Sequence, residues 1–350
     1  MHAAKAAFIL LALTAPALAG CINAPDDAVD AQAASNGTPT NASWLVDAAG
    51  TLAEIKSYSE AFPMRRGDND AHNAARAYLL ATYEGLGYEA HMDEFTAPIS
   101  PISTPTSVVA GNDRLVNIIG IKWGTTQPEE WLVVGAHYDV TDGAIYGAYD
   151  DGSGTIIVQN LATAFKDLSF PRTIIFANFD GEEQGLRGSS HMMEAITNGE
   201  WLHNNGTVVG MVDFDMAGIT YPSGVPMVAD AVSPEMQDVI RTKMVDLEWP
   251  EDMLEFRGIS GGSSDNGPFK AAEIPSVLFI SDFDDVRYQN QEVPGNYPFW
   301  HQFDTYEAMV RMAGSEAALL EGFQATIDLG GHLVHEMAMG LDLTFKAHGE

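Results

Sequence analysis

Five apolar segments rich in valine, isoleucine and phenylalanine alternate with helical patterns along this chain. This alternation limits the possible folds more than any other feature of the sequence. The segments are LVNIIGIKW, EWLVVGAHY, RTIIFANF, TVVGMVDFDM and IPSVLFI. They lack the strict alternation of polar and apolar residues that marks a strand with one solvent-exposed face, so both faces of the sheet should be buried. Such strands, separated by helices, predict a single α/β domain with a central, mostly parallel mixed sheet that helices cover on both faces.

Helical spacing of apolar residues predicts the elements between these strands. The clearest case is AHNAARAYLLATYEGL, residues 71–86, where glycines mark the end of the helix. Further helices are predicted over residues 154–167, 186–198 and 234–247, and one long helix from Thr305 to about Met339.

The first 21 residues have the features of an export signal that ends in a lipobox. Lys5 precedes the apolar stretch AAFILLALTAPALAG, and the sequence LAGC places Cys21 where a bacterial-type lipoprotein is lipidated. The stretch is too short and too rich in alanine for a membrane span, which needs roughly 20 strongly apolar residues. We therefore expect an exported protein, either anchored by a lipid on Cys21 to the outer side of the cytoplasmic membrane or secreted.

Residues 22–43 are small and polar and bury almost nothing, so we expect a disordered tether there and a folded domain over residues 44–350. Cys21 is the only cysteine, which rules out a disulfide within the chain.

The formal charge is −32, from 49 acidic and 17 basic residues. Nucleic acids and anionic lipid surfaces are therefore unfavourable partners.

Polar residues stand where predicted strands end, and in parallel sheets functional groups gather at those ends. His137 and Asp139 lie two residues apart in GAHYD, on one side of an extended backbone. Asp213 and Asp215 in DFDMAG share a face in the same way. An unpaired carboxylate at the end of a buried strand is costly, so a cation is a natural partner.

Two pairs of adjacent acids complete the pattern. Asp150 and Asp151 lie in the turn YDDGSG, where one acid suffices to cap the following helix and the second has no structural role. Glu182 and Glu183 point in different directions from their backbone, so one can bind a ligand while the other moves a proton. With His301 in FWHQFDT, these groups match the nitrogen and oxygen ligands of zinc, and the number of acids favours two ions.

Two other motifs are weaker candidates for a catalytic site. HLVHE, with His332, His335 and Glu336, does not have the HExxH order of a one-zinc protease. GSSDNG contains serine and aspartate but not the strained turn that presents a nucleophilic serine.

The ordered set GAHYD, YDDGSG, FDGEEQGLRGS, DFDMAG, SSDNGPF and WHQFDT resembles the zinc-dependent exopeptidase family of the secreted bacterial leucine aminopeptidases, glutamate carboxypeptidase and the transferrin-receptor ectodomain. The resemblance runs from about Ala71 to the final helix. It implies a three-layer zinc-peptidase fold and two zinc ions per chain. The roles it implies are Asp150 as the ligand of both ions, His137 and Asp215 on one ion, Glu183 and His301 on the other, Glu182 as general base and Asp139 as the residue that orients His137.

The chain departs from the family pattern near the late histidine. Trp300 stands where members usually have tyrosine, and two residues rather than three separate His301 from Asp304. Ser263 replaces an arginine that many aminopeptidases have before the aspartate matched by Asp265. We expect Trp300, Asp304 and Asp265 to support the metal ligands or contact the substrate.

The implied reaction is the removal of N-terminal residues from peptides through a metal-bridging hydroxide and the general base Glu182. Two zinc ions lower the pKa of a shared water from about 15.7 toward 7. The alternatives are a carboxypeptidase or dipeptidase on the same scaffold, a glutaminyl cyclase, and a receptor-like ectodomain without activity.

Overall fold

A mixed eight-stranded sheet lies at the centre of the part of the chain that the structure, a computed structural model, describes. The described residues are 46–67, 69–98, 112–141, 143–220, 227–231, 233–251, 254–257, 264–281 and 304–346. The predictions for Cys21, the tether, Ser263, Trp300 and His301 therefore concern residues outside these ranges.

The sheet is parallel at its centre and mixed at its edges. Its strands are β1 (Glu89–Pro98), β2 (Asn112–Lys122), β3 (Gln127–His137), β4 (Arg172–Phe179), β5 (Thr207–Phe214), β6 (Met227–Ala231), β7 (Leu254–Arg257) and β8 (Ser276–Ser281). Their order across the sheet is β1-β2-β4-β3-β5-β8-β6-β7. Neighbours among β4, β3, β5 and β8 pair in parallel, whereas β2 is antiparallel to β4 and β6 is antiparallel to β8. The five predicted segments are all strands, and the predicted α/β class is confirmed.

The described helices are α1 (Ala48–Ala61), α2 (Asp70–Gly85), α3 (Gly152–Ala164), α4 (Arg187–Asn198), α5 (Pro234–Asp246), α6 (Asn266–Ala271), α7 (Tyr306–Ala313) and α8 (Glu316–Ala338). The prediction of one long helix from Thr305 to about Met339 is wrong. Gly314, at φ 85°, ends α7 in a left-handed conformation, and Ser315 caps α8 by accepting a hydrogen bond from the backbone of Ala318. Within the described ranges, no helix combines the length and apolar character that crossing a membrane requires.

Helices cover both faces of the sheet. Leu132 and Val134 of β3 belong to the apolar cluster shared with α1, α3 and α8. Their neighbours Trp131 and Val133 belong to the cluster shared with α4 and α6. Because successive strand residues point to opposite faces, these clusters are the two interfaces of a three-layer arrangement, as predicted.

Candidate active site

The carboxyl ends of the parallel strands bring the predicted histidine and acids together at one edge of the sheet. His137 is the last residue of β3 and pairs in register with Phe179, the last residue of β4. Glu182 lies in the turn after β4, and Asp215 follows β5 directly. The chemical roles assigned to these residues remain predictions, but their side chains share one small region.

His137 is 1% exposed, and its Nε2 faces three carboxylates. Nε2 lies 3.1 Å from Oδ1 of Asp150, 3.7 Å from Oδ1 of Asp215 and 4.0 Å from Oε2 of Glu182. Burial opposes a charged imidazolium, but the contacts with Asp139, Asp150 and Asp215 outweigh it and raise the pKa of His137 well above its usual value. One ring nitrogen and several carboxylate oxygens therefore converge as the ligands of a divalent cation do.

Asp139 contacts both His137 and Glu182. Its Oδ1 lies 3.5 Å from Nδ1 of His137, and the same oxygen accepts a 3.1 Å hydrogen bond from the backbone N–H of Glu182. Its backbone oxygen lies 3.1 Å from the same ring nitrogen. Asp139 is thus placed to fix the ring of His137 and the start of the Glu182 turn together, and its orienting role in catalysis stays a prediction.

The adjacent acids Asp150 and Asp151 have different partners. Asp151 caps α3, since its Oδ1 accepts a 2.8 Å hydrogen bond from the backbone of Gly154. Asp150 instead directs its Oδ1 at His137. One acid of the pair therefore caps the helix, and the other faces the ring nitrogen of His137.

Asp304 holds the turn that carries Asp150. Its Oδ2 accepts hydrogen bonds from the backbone N–H groups of Tyr149 and Asp150, at 2.8 and 2.7 Å. Its backbone oxygen accepts a third from Ala148 at 3.2 Å. Asp304 is fully buried, so it positions the Asp150 backbone without solvent competition. The short spacing between His301 and Asp304 leaves this supporting contact in place.

The turn after β4 separates Glu182 from Glu183. Gly181 adopts a left-handed conformation at φ 76°, which glycine reaches without strain, and a single 3-10 turn over Glu182–Gln184 follows. Burial raises the pKa of Glu183 well above its usual value, and the charge of Asp150 is the next largest cause. Glu183 therefore lies near the other acids of the cluster, and Oε2 of Glu182 lies 4.0 Å from Nε2 of His137.

Asp213 and Asp265 extend the acidic cluster beyond Asp215. Oδ2 of Asp213 accepts a 2.7 Å hydrogen bond from the backbone of Asn266. Burial, followed by the charges of Asp265 and Asp215, raises the pKa of Asp213 well above its usual value. Burial also raises the pKa of Asp265 to about 7. Acids this close oppose one another's ionisation, which costs stability unless a cation or a proton lies among them.

Several buried carboxylate oxygens in this cluster accept no hydrogen bond from the described residues. They are Oδ2 of Asp139, Oδ2 of Asp151, Oδ1 of Asp213 and Oδ1 of Asp215. One ligand atom each from His137, Asp151 and Asp215 lies within 4.8 Å of the others. Buried oxygens without donors are costly, and a divalent cation satisfies several at once. The residues present therefore fit a metal centre of the zinc type.

The sequence pattern missed two features of this region. The resemblance assigns no metal to Asp151, yet one of its oxygens lies within 4.8 Å of ligand atoms of His137 and Asp215. Asp180, directly before the GEE turn, forms a buried network with Arg76 and other residues that no motif indicated. The roles predicted for Trp300 and His301 lie outside the described residues and stay predictions.

Metal removal should make the stability of the folded chain fall as the pH rises. Asp265 has a folded pKa of about 7, whereas an unfolded aspartate has a pKa of about 3.9. Between these values the folded chain holds a proton that the unfolded chain releases, so the free energy of unfolding decreases with rising pH. The raised pKa values of Glu182 and Glu183 act in the same direction. With a chelator present, we expect a lower melting temperature at pH 8 than at pH 5, measured by calorimetry.

Two controls make this prediction specific. Zinc added at pH 8 should raise the melting temperature, because a ligand of the folded state stabilises it. Asp265→Asn should reduce the difference between pH 5 and pH 8. A melting temperature that stays constant or rises over this interval with chelator present would contradict the buried acidic cluster.

Comparison with known proteins identifies relatives over this region. Residues 117–316 match the model of the family described as peptidase family M28. The Arabidopsis thaliana protein named probable glutamate carboxypeptidase LAMP1 is 29% identical over 168 residues, which cover 45% of this chain and 24% of that protein. The chain spans 24%, 36% and 26% of the length of the first three curated relatives it matches.

Solved structures share the fold over most of the chain. A zinc aminopeptidase from Bacillus subtilis aligns with a TM-score of 0.65 at 18% identity, covering 84% of this chain and 96% of that one. A glutaminyl cyclase from an Acidobacteriales bacterium aligns with a TM-score of 0.64 at 20% identity, covering 88% and 99%. At these identities the likeness shows the fold alone, and the fold accommodates both kinds of protein.

Proposed function

The chain belongs to peptidase family M28, and from that premise we propose that it is a zinc exopeptidase that removes N-terminal residues from peptides outside the cytoplasm. The observation that carries the proposal is the convergence of His137 with Asp150, Asp215 and Glu182 at the ends of the strands. The export pattern that ends at Cys21 supports the location.

Two zinc ions account for the arrangement of the acids. His137, Asp150 and Asp215 would hold one ion, in line with the distances between them. Asp150 and Glu183 would hold the second together with His301, whose part rests on the sequence pattern. Zinc bound here would polarise the scissile carbonyl and lower the pKa of water.

Glu182 is the residue we assign to proton transfer. Its side chain is only 15% exposed and lies at the edge of the metal-binding group, 4.0 Å from Nε2 of His137. Without metal, burial raises its pKa well above the usual value; the charge of His137 opposes this shift, and the charges of Asp215 and Asp265 add to it. Bound zinc would favour the carboxylate form, which can accept a proton from the attacking water and return it to the leaving amine. Asp139 holds the Glu182 backbone in place for both steps.

The charge of the site favours the amino end of a peptide. The acidic side chains around His137 exceed what the charge of two zinc ions balances, so a protonated α-amine complements the site better than a C-terminal carboxylate does. They are Asp139, Asp150, Asp151, Asp213, Asp215, Asp265, Glu182 and Glu183. A carboxypeptidase needs a cationic side chain that grips the free carboxylate of its substrate. An aminopeptidase is therefore the better match among exopeptidases.

Glutaminyl cyclisation is the second candidate, favoured by the fold shared with a solved glutaminyl cyclase. That reaction also begins from a free N-terminal amine, so the acidic surroundings of His137 suit it as well. It differs in its products, because cyclisation of an N-terminal glutamine releases ammonia and consumes no water.

The test is turnover of a peptide panel by the full chain, together with its tightly bound zinc. Peptides with free amines, the same peptides with blocked amines, and peptides with N-terminal glutamine separate the candidates. About two retained zinc ions and cleavage of free-amine peptides alone would support the proposal. Cleavage of blocked peptides from the carboxyl end, or release of ammonia from N-terminal glutamine alone, would replace it. Absence of both zinc and turnover would indicate a binding ectodomain.

A further inference from the structure

A second group of metal-binding side chains lies on the edge strand β1. Glu89 and His91 are two residues apart on this strand, so their side chains leave the same face. His203 reaches them from the segment that follows α4. One ligand atom from each of the three lies within 4.8 Å of the others, and all three are partly exposed, so ions from solvent can reach them.

The carboxylate of Glu89 lies between the two imidazoles. Its Oε1 is 2.8 Å from Nε2 of His91 and 2.7 Å from Nε2 of His203. Its Oε2 accepts a 2.9 Å hydrogen bond from the indole N–H of Trp123, whose ring also contacts His203. The hydrogen bond from Trp123 to Oε2 orients the carboxylate so that Oε1 faces both imidazole rings. Residues next to metal ligands often orient them through hydrogen bonds of this kind.

We propose that Glu89, His91 and His203 bind a zinc ion that is separate from the metals of the candidate active site. Two imidazole nitrogens and one carboxylate oxygen are ligands that zinc accepts, with a fourth position left for water. Ligand atoms about 2.0–2.1 Å from a tetrahedral zinc ion lie roughly 3.3 Å apart. Each imidazole therefore needs to move away from Oε1 by about 0.5 Å, which partly exposed side chains accommodate.

The same strand face supplies a matched control. Asp93 follows His91 on this face, and its Oδ1 lies 3.4 Å from Nε2 of His191 on α4. The His191 ring stacks on Phe95 at 4.2 Å. This pair offers one imidazole and one carboxylate, and it belongs to no group of three metal ligands among the described residues. His191→Asn therefore changes a comparable histidine without changing the proposed site.

The test is zinc stoichiometry of the full chain after equilibrium dialysis against micromolar zinc. The wild-type chain should hold one zinc ion more than His203→Asn or Glu89→Gln, whereas His191→Asn should match the wild type. Glu89→Gln retains an acceptor for Trp123, so it keeps the test valid if His203→Asn folds poorly. The difference does not depend on the candidate active site, because its residues are unchanged in all variants.

Trp123→Phe tests the supporting contact. Loss of this hydrogen bond should weaken the proposed site about 10- to 100-fold, measured by calorimetric titration after subtraction of the His203→Asn isotherm. Equal zinc content in the wild type and both ligand variants would overturn the proposal. The group would then be a hydrogen-bonded cluster that binds β1 to the segment after α4.

Discussion

Replacing Glu182 by glutamine should lower kcat by about 100- to 10,000-fold while leaving the zinc content unchanged. Glutamine keeps the size of the side chain but cannot accept and return a proton. The backbone hydrogen bond from residue 182 to Asp139 involves only the main-chain N–H, so the turn should persist. The measurement is kcat on the best substrate of the peptide panel, alongside metal analysis of the same preparation.

Glu194→Gln provides the matched control for this variant. Glu194 lies on α4, the helix after the same turn, and is exposed. Its substitution should leave kcat unchanged, which separates proton transfer from a general loss of negative charge. If Glu182→Gln retains most of the activity, Glu182 is not the general base. Loss of zinc from Glu182→Gln would instead make it a metal ligand.

The strand ends explain how much of the candidate site the sequence predicts. His137 and Asp215 lie near the ends of their apolar segments, and Glu182 follows its segment closely. Recognising the strands and their parallel order therefore also predicts that these side chains converge. The two adjacent acids in YDDGSG are resolved in the same local way, since one of them caps α3. Convergence at strand ends depends on short-range patterns, which a sequence displays directly.

The features that were not predicted either have a weak local signal or depend on contacts between distant residues. The break between α7 and α8 falls at Gly314. Helical spacing of apolar residues continues across this glycine, and the spacing alone predicts one unbroken helix. Strand β1 is an edge strand in which polar residues such as Glu89 and His91 alternate with others, so it lacks the apolar run that marked the central strands. Local spacing does not reveal that Asp180 is a partner of Arg76 or that His203 is a partner of Glu89, because these partners lie many residues away in the chain.

Replacing Asp180 by alanine should lower the free energy of unfolding by about 3–5 kcal/mol. Asp180 is 1% exposed and accepts hydrogen bonds from Nη2 of Arg76 at 2.8 Å, the hydroxyl of Tyr138 at 3.0 Å and the backbone of Val116 at 2.9 Å. Its other oxygen lies 3.3 Å from Nε2 of His72. The alanine variant removes the carboxylate that accepts from Arg76, Tyr138 and Val116, so these buried donors lose an acceptor that solvent cannot replace.

Equilibrium urea unfolding at pH 7 with zinc present measures this loss. The pair of Arg114 and Glu94, 2.6 Å apart but 40% and 52% exposed, serves as the control. Glu94→Ala should cost only about 0.2–1 kcal/mol, because solvent screens exposed pairs. A loss for Asp180→Ala no larger than this would contradict the importance of the buried network.

Residues of the Asp180 network lie beside the proposed catalytic residues in the chain, so its contribution to the free energy of unfolding needs a test that distinguishes it from the contribution of the metal site. Tyr138 lies between His137 and Asp139, and Asp180 precedes Glu182 by two residues. Although burial raises the pKa of Asp180, the charge of His72 and the contacts with Arg76 lower it below its usual value. Its stabilising effect is therefore present above the unfolded pKa of about 3.9 and lost as the pH falls through the lower folded value. The stability difference between the wild type and Asp180→Ala, measured with zinc bound, should accordingly shrink as the pH falls below about 4. A difference that does not shrink at acidic pH would mean that the charge of Asp180 does not determine the loss.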